Sequence, residues 1–535
     1  MLTRQKKYTF ALMLLAGMVC SVFAKEFNYE LKPAQFCSVS LESKTVVDAD
    51  FPVTLEKSAT NQTVVLVQYD LRADQTRTEN AVFWGWVTTS GEGGFPYMTV
   101  HAVENNWTPE SLARGELPKT LGRAIDMSSG IYPKNKAPIF FKVTDAVNRR
   151  MQEGTVSFLI EMDTPAGYSQ AVNFLKPFTL KVAKADAPVF KTAELLAPFW
   201  NKAGVMVNET LSPTSYDGEL AKANLRFKPT DIISVTDYGL GTTYVEGEDF
   251  TILNGTFTLT ENSSIPFFRY DDLYHNDPDR KPRTFKTLEG GYLAFGGPPF
   301  FTDNQVCVSY RHQQRWQGPE YKPAKNELPR TFSKLKAGKP LRIVLFGDSI
   351  STGANSSGNN MYPPFMPSFY NLTIAELERV YGSDIDALNS SLGGKNCTWG
   401  RDNADALVAD KNPDLVILGF GMNDSIPAEQ FMEATEKTME IIRAKNPKVE
   451  FLMLMSFQPN SKWKDLSTMA SYLEALKKIE GRGVAVADVW SLHEYLLKNK
   501  TYWDMTANHV NHPNDYTVRM YAQVILARLG IGSGK

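Results

Sequence analysis

The stretch LRIVLFGDSISTG, residues 341–353, decides the fold. Ile343, Val344, Leu345 and Phe346 form a short unbroken apolar run, the pattern of a strand buried on both faces. Gly347 ends the run, and Asp348 and Ser349 follow at once. Open α/β sheets bind ligands just beyond the C-terminal ends of their strands, so Ser349 stands where a nucleophile would. Gly-Asp-Ser is also ordinary turn chemistry, and only what lies downstream separates the two readings.

Downstream, apolar strands are expected over 384–389, 414–419, 449–456 and 483–488, with 341–346 as the first. Amphipathic helices are expected over about 366–381, 399–409, 427–445, 465–480, 489–498 and 514–529. In the 427–445 segment Phe431, Met432, Met439 and Ile442 recur at helical spacing, which makes those methionines core residues. Regular strand-helix alternation predicts an α/β domain, a parallel sheet covered on both faces.

Three polar stretches fall beyond predicted strands or ahead of the last helix: Asn389 to Lys395, Leu418 to Asp424, and Asp504 to Asp515. Together with Ser349 they suit acyl transfer. A serine hydroxyl is a weak nucleophile until a base takes its proton, and His512 is the candidate base. A tetrahedral intermediate needs donors aimed at its oxyanion. The backbone N–H groups of Ser349 and Gly394 and the side-chain amide of Asn423 supply three. A glycine at 394 lets the backbone approach a substrate closely.

Gly-Asp-Ser at 347–349, Gly394, Gly421-Met422-Asn423-Asp424 and His512-Pro513 resemble the four blocks of the SGNH (GDSL) hydrolases, over about residues 340–530. The resemblance implies a flavodoxin-like sheet and a serine esterase or lipase. It makes Ser349 the nucleophile, Gly394 and Asn423 the rest of the oxyanion hole, and His512 the base. One block departs from the pattern. The family carries Asp-x-x-His, whereas His509 stands three residues before His512. Asp504, eight residues upstream, is the candidate to orient His512. The alternatives are Asn508 in the acid's place, a Ser-His dyad oriented by a backbone carbonyl, and His509 itself as base; the match of His512-Pro513 disfavours the last. Trp399, Arg401 and Trp463 are weaker candidates for lining an acyl or sugar pocket, with packing an equal reading for each.

Upstream of the decisive stretch the pattern changes. Residues 25–188 read as short β runs, such as 63–69, 81–87 and 156–162, and are expected to form a jelly-roll-like β-sandwich. Trp84, Trp86, Tyr97 and Trp107 are either a sugar-stacking platform or core. A second β-rich domain is expected over 189–325. Within it Asp271, Asp272, His275, Asp277 and Asp279 share a loop with Arg280, Lys281 and Arg283; their spacing matches no metal-ligand pattern, and a solvated loop is expected. Residues 326–339 are expected to be a linker, and 340–535 the hydrolase domain.

At the N-terminus Arg4, Lys6 and Lys7 precede a largely apolar run from Phe10 to Ala24. Val22-Phe23-Ala24 suits a signal peptidase, so residues 1–24 are expected to be a signal peptide, with export to the periplasm, the cell surface or the medium and no transmembrane segment in the mature chain. The full length of 535 residues calls for several domains. A formal net charge of -2 argues against nucleic acid as partner. Cys37, Cys307 and Cys397 are too few for a disulfide framework; buried thiols are expected, with a Cys37–Cys307 bridge the alternative. The sequence gives no sign of a cofactor or metal. The expected function is therefore an exported serine esterase that removes O-acyl groups, O-acetyl above all, from a polysaccharide or oligosaccharide. The alternatives are a lipase or thioesterase acting on longer acyl chains, and a carbohydrate-binding surface protein whose esterase domain is vestigial.

Overall fold

Strand β1 (Leu341–Gly347) is buried at every residue but Arg342. It pairs in parallel with β2 (Ile385–Asn389) on one side and β3 (Leu415–Gly419) on the other. Strands β4 (Glu450–Met455) and β5 (Val484–Asp488) extend the sheet beyond β3. The spatial order β2-β1-β3-β4-β5 is that of flavodoxin-like doubly wound sheets, which place their ligands at the β1/β3 switch point. Gly347 and Gly419 face each other at the ends of β1 and β3, so the Ser349 turn and the Asn423 loop leave the sheet side by side.

The computed structural model describes residues 29–48, 53–58, 61–71, 80–91, 97–127, 137–163, 170–175, 178–183, 192–200, 204–297, 299–360 and 362–532. The expected signal peptide, residues 1–24, lies outside the described residues. Among the described residues no helix is long and apolar enough to cross a membrane.

Helices α1 (Phe369–Tyr381), α2 (Cys397–Leu407), α3 (Ala428–Lys445), α4 (Leu466–Lys478), α5 (Val489–Leu496) and α6 (Asp515–Arg528) connect and cover the strands. Their starts are fixed by side-chain caps: Ser368, Asn396, Asp465 and Asn514 each accept a backbone N–H of the first turn. Helix α6 is buried along nearly its whole length. The Arg519 guanidinium donates to the carbonyls of Val207 and Asn208 at 2.8 and 2.9 Å, so the upstream β-rich segment covers its outer side.

The chain divides into two compact units, Met1–Ala187 and Pro188–Lys535. The second β-rich segment therefore shares a unit with the parallel sheet. Its strands Val205–Leu211, Pro229–Asp237 and Val306–His312 form one antiparallel sheet. Glu209 and Lys500 lock it in place with a 2.8 Å ion pair whose two side chains are 0% exposed. The Tyr310 hydroxyl and the Arg226 N–H complete the Glu209 carboxylate. Such a pair is tolerated only because its members satisfy each other, and charged residues give no hint of burial in a sequence. The expected linker, 326–339, contains a helix, Pro329–Lys336, with Thr331, Phe332 and Leu335 buried. Its proline stands in the first turn and its lysines in the last, which is helix punctuation.

In the first unit two antiparallel six-stranded sheets contribute to a common buried cluster that includes Phe36, Val65, Tyr69, Phe83, Phe158 and Phe178. Phe83 stacks on Phe178 with ring centroids 4.3 Å apart. Trp107 is buried in a neighbouring cluster with Cys37 and Leu66, so this member of the suggested aromatic platform is core. Cys37, Cys307 and Cys397 are buried thiols, which removes the Cys37–Cys307 bridge.

Candidate active site

The turn that carries Ser349 is built by close packing at the end of β1. A Cβ on Gly347 would lie 2.3 Å from the Gly419 carbonyl oxygen, so only glycine lets the two strand ends meet. The buried Asp348 carboxylate accepts from the Ile350 N–H at 2.9 Å and closes the turn. Burial pushes this carboxyl up to about 7, the backbone bond opposing that shift and the charge of Asp424 adding to it. Asp348 thus shapes the turn that presents Ser349.

His512 Nε2 lies 2.9 Å from Ser349 Oγ. On the other side of the ring, Nδ1 bonds to the side-chain oxygen of Asn355. An amide oxygen can only accept, so Nδ1 carries the ring proton and donates to it, which leaves Nε2 bare to receive a proton from Ser349. Burial pulls the imidazole down to about 4, which keeps it neutral and able to act as base. Asn355 sits at φ +64°, a left-handed conformation that asparagine adopts more readily than most residues. Its amide nitrogen faces Gly297 of the upstream β-rich segment, where an added Cβ would come within 2.8 Å.

Asp504 does not orient His512. Its carboxylate is fully buried and accepts from the N–H groups of Ser212 at 2.7 Å and Thr501 at 2.8 Å. Its backbone carbonyl accepts from Thr210 Oγ1 and Asn514 Nδ2, both at 2.8 Å. Asp504 thereby fastens the β-rich segment to the loop that carries His512. The backbone-carbonyl dyad also gives way to the Asn355 side chain. The Asn508 side-chain oxygen accepts from the N–H groups of Val510, Asn511 and His512 at 3.0, 3.0 and 2.9 Å. It folds the His512 loop and does not take the acid's place beside the ring.

His509 is likewise no base for Ser349. Its ring is boxed by Tyr274, Phe301, Trp503 and Tyr502, with centroids 4.9, 5.5, 5.9 and 6.2 Å away. Burial pulls it down to about 3. Two rings of that box, Tyr274 and Phe301, come from the β-rich segment, so this segment shapes both the His512 loop and the surroundings of Asn355.

The loops that carry Gly394 and Asn423 are tied to each other. Asn423 Nδ2 donates to the Lys395 carbonyl at 3.0 Å, which leaves its second N–H for a ligand. The Asp424 carboxylate accepts the Cys397 N–H at 3.1 and 3.2 Å. Lys464 Nζ donates to the carbonyls of Met422 and Asp424. Gly394 is exposed at φ +74° with open space where a Cβ would project. The need for glycine there is conformational, not the close approach suggested by the sequence. The adjacent Gly393 would bring a Cβ to 3.7 Å from Ser349 Cβ, which puts this turn beside Ser349.

Of the weaker candidates, Trp399 packs against Phe346 and Phe420 at 5.6 and 6.3 Å. Arg401 pairs with Asp402 at 2.8 Å. Trp463 meets Phe285 edge-on at 6.3 Å. In the charged loop Arg280 pairs with Asp272, and among the described residues no His, Cys, Asp and Glu group is arranged to hold a metal.

Comparison with known families adds to this geometry. Residues 345–519 match the GDSL-like Lipase/Acylhydrolase family. The C-terminal part of the chain is a GDSL-like acylhydrolase domain. No curated protein matches the chain. Among solved structures, a two-domain esterase active on acetylated mannans is 19% identical, with 41% of this chain and 57% of that chain covered and a TM-score of 0.32. This chain thus spans little more than half of that esterase. An acetylxylan esterase from Geobacillus stearothermophilus is 18% identical over 37% of this chain and 97% of its own, with a TM-score of 0.31. A carbohydrate esterase family 3 protein from Talaromyces cellulolyticus is 16% identical over 35% and 94%, with a TM-score of 0.28. The matched family range begins within β1 and ends within α6, so the GDSL-like domain contains all four loops that carry the site.

Proposed function

We propose that the chain is an exported serine esterase that removes O-acyl groups, O-acetyl in first place, from a polysaccharide, with Ser349, His512 and Asn355 as its triad. The observation that carries this reading is the 2.9 Å contact between His512 Nε2 and Ser349 Oγ, with Asn355 on the opposite ring nitrogen. Export rests on the basic and apolar N-terminal residues. The polysaccharide rests on the β-rich parts ahead of the GDSL-like domain, the first of them read as a jelly-roll-like sandwich.

Ser349 Oγ attacks the ester carbonyl while His512 Nε2 takes its proton. The carbonyl oxygen becomes an oxyanion held by the N–H groups of Ser349 and Gly394 and the free N–H of Asn423. His512 then gives the proton to the departing sugar oxygen, leaving an acyl-Ser349 ester. Water, deprotonated by His512, attacks that ester, and collapse of the second intermediate releases the acid and returns the proton to Ser349. Asn355 accepts the Nδ1–H bond throughout and keeps the ring in register.

The test is acetate release from a panel of acetylated polysaccharides, together with rates on p-nitrophenyl acetate and a long-chain p-nitrophenyl ester. Acetate release and a preference for the short ester support the reading. A preference for the long chain without acetate release would replace it with a lipase.

A further inference from the structure

We infer that the face of the β-rich segment around Tyr216 is a binding site for a neutral glycan; this deepens, and rests on, the reading of the substrate as a polysaccharide. The turn after strand Thr214–Ser215 and the stretch 259–271 enclose an open cavity of about 710 Å³, within the ~300–1,000 Å³ span of small-molecule sites. Among the described residues, the only aromatic side chains in the set of exposed large hydrophobics are Tyr216 and Phe267, 45% and 43% exposed. Both line this cavity, as does Leu220, itself 45% exposed. Single exposed apolar residues need no explanation. Two aromatic rings and a leucine converging on one concavity do.

Tyr216 lies flat on Tyr270, with ring centroids 5.1 Å apart and planes 28° apart. Tyr270 meets Trp503 edge-on at 6.2 Å. The exposed face of Tyr216 is therefore held in place before a ligand arrives, which reduces the ordering cost of binding. A pyranose or furanose has a C–H face that packs on such a ring and hydroxyls around its edge that need acceptors and donors. The cavity lining supplies both. The exposed carboxylates of Asp217, Glu219, Glu261 and Asp271 accept, and the Arg269 guanidinium donates. An acyl chain would leave those carboxylates and the guanidinium without partners. Four carboxylates against one guanidinium also repel uronic-acid polymers and nucleic acid. A neutral, hydroxyl-rich ligand matches both the rings and the polar edge: a run of unsubstituted sugar residues of the polymer being deacylated.

The experiment uses the full chain carrying Ser349→Ala, so that polymers are not consumed. Calorimetry measures its affinity for neutral xylan, mannan and β-glucan oligosaccharides, with oligogalacturonate as the anionic member. At least one neutral oligosaccharide is expected to bind, and Tyr216→Ala and Phe267→Ala are each expected to weaken it tenfold or more. Both side chains are exposed, so both variants are expected to fold, and kcat/KM for p-nitrophenyl acetate in the Ser349 background should be unchanged by either. The site is overturned if no neutral oligosaccharide binds, if binding survives both substitutions, or if oligogalacturonate binds more tightly. The small ester reports the catalytic reading separately. Hydrolysis without glycan binding removes the site and keeps the esterase. Glycan binding that Tyr216→Ala abolishes, without hydrolysis, keeps the site and removes the esterase.

Discussion

A Cβ added at Gly297 would lie 2.8 Å from the side-chain nitrogen of Asn355. That nitrogen is the group that must stay away from His512. Were the amide turned over, its N–H would face Nδ1, the ring proton would move to Nε2, and His512 could no longer accept from Ser349. The backbone at Gly297 is not in the left-handed region, so alanine is tolerated there. Because the crowded atom is the end of a side chain, Gly297→Ala should leave Tm almost unchanged while kcat falls about tenfold or more, as small misplacements of catalytic groups do. Gly241→Ala, where nothing lies within 4 Å, should leave kcat intact. Equal rates for the two variants would show that Gly297 does not position Asn355.

Asn355→Ala removes the acceptor of the Nδ1 proton. The equivalent loss of tautomer control in a Ser-His-Asp triad lowers kcat by about 10⁴, and a fall of about 10²–10⁴ is expected here. Steady-state kinetics on p-nitrophenyl acetate measure it. A variant within threefold of the parent would mean that His512 is oriented by another group.

The acid limb of kcat/KM should lie well below the ordinary imidazole value. Burial pulls His512 down to about 4, so the neutral base persists as pH falls and is lost only as pH approaches that value. Asn355→Asp places a carboxylate beside Nδ1, stabilises the imidazolium and raises its pKa, so the limb should move toward neutral pH. A parent limb near the unperturbed value of about 6.5, or no shift in the variant, would contradict the assignment.

Asp504 is expected to act on stability rather than on chemistry. Asp504→Ala leaves the buried N–H groups of Ser212 and Thr501 without their acceptor, each loss being about 1–3 kcal/mol. Denaturant unfolding should show a destabilisation of several kcal/mol, with kcat of the folded fraction within a few-fold of the parent. Full stability with kcat abolished would return Asp504 to the catalytic centre.

Asn423→Ala removes one oxyanion donor. Such a loss costs about 10²–10³ in kcat, with little change in KM because the oxyanion exists only in the transition state. A rise in KM at constant kcat would make Asn423 a ground-state contact instead.

The parallel sheet is legible because most of its strands are apolar runs ended by glycine or polar residues; the expected 414–419 strand is observed as Leu415–Gly419. Ser349, Gly394 and Asn423 are legible as candidates because they stand beyond strands, and His512 because it stands just ahead of the last helix. Asn355 is not. It lies in Gly-Ala-Asn-Ser-Ser-Gly-Asn-Asn, a stretch without hydrophobic period, and an uncharged amide gives no signal of an orienting group. Asp504 is acidic and near His512 in sequence, but its partner Ser212 lies on a separate segment that spacing cannot bring together with it. The same holds for Gly297, whose contact with Asn355 joins two segments read as different domains.

The proposed mechanism depends above all on activation of Ser349 by His512. It is tested most directly by mass spectrometry of the full chain after reaction with a fluorophosphonate. A single adduct on Ser349, absent in Ser349→Ala and formed at least a hundredfold more slowly in His512→Ala, is predicted. No adduct on Ser349, or one formed at the same rate without His512, would contradict it.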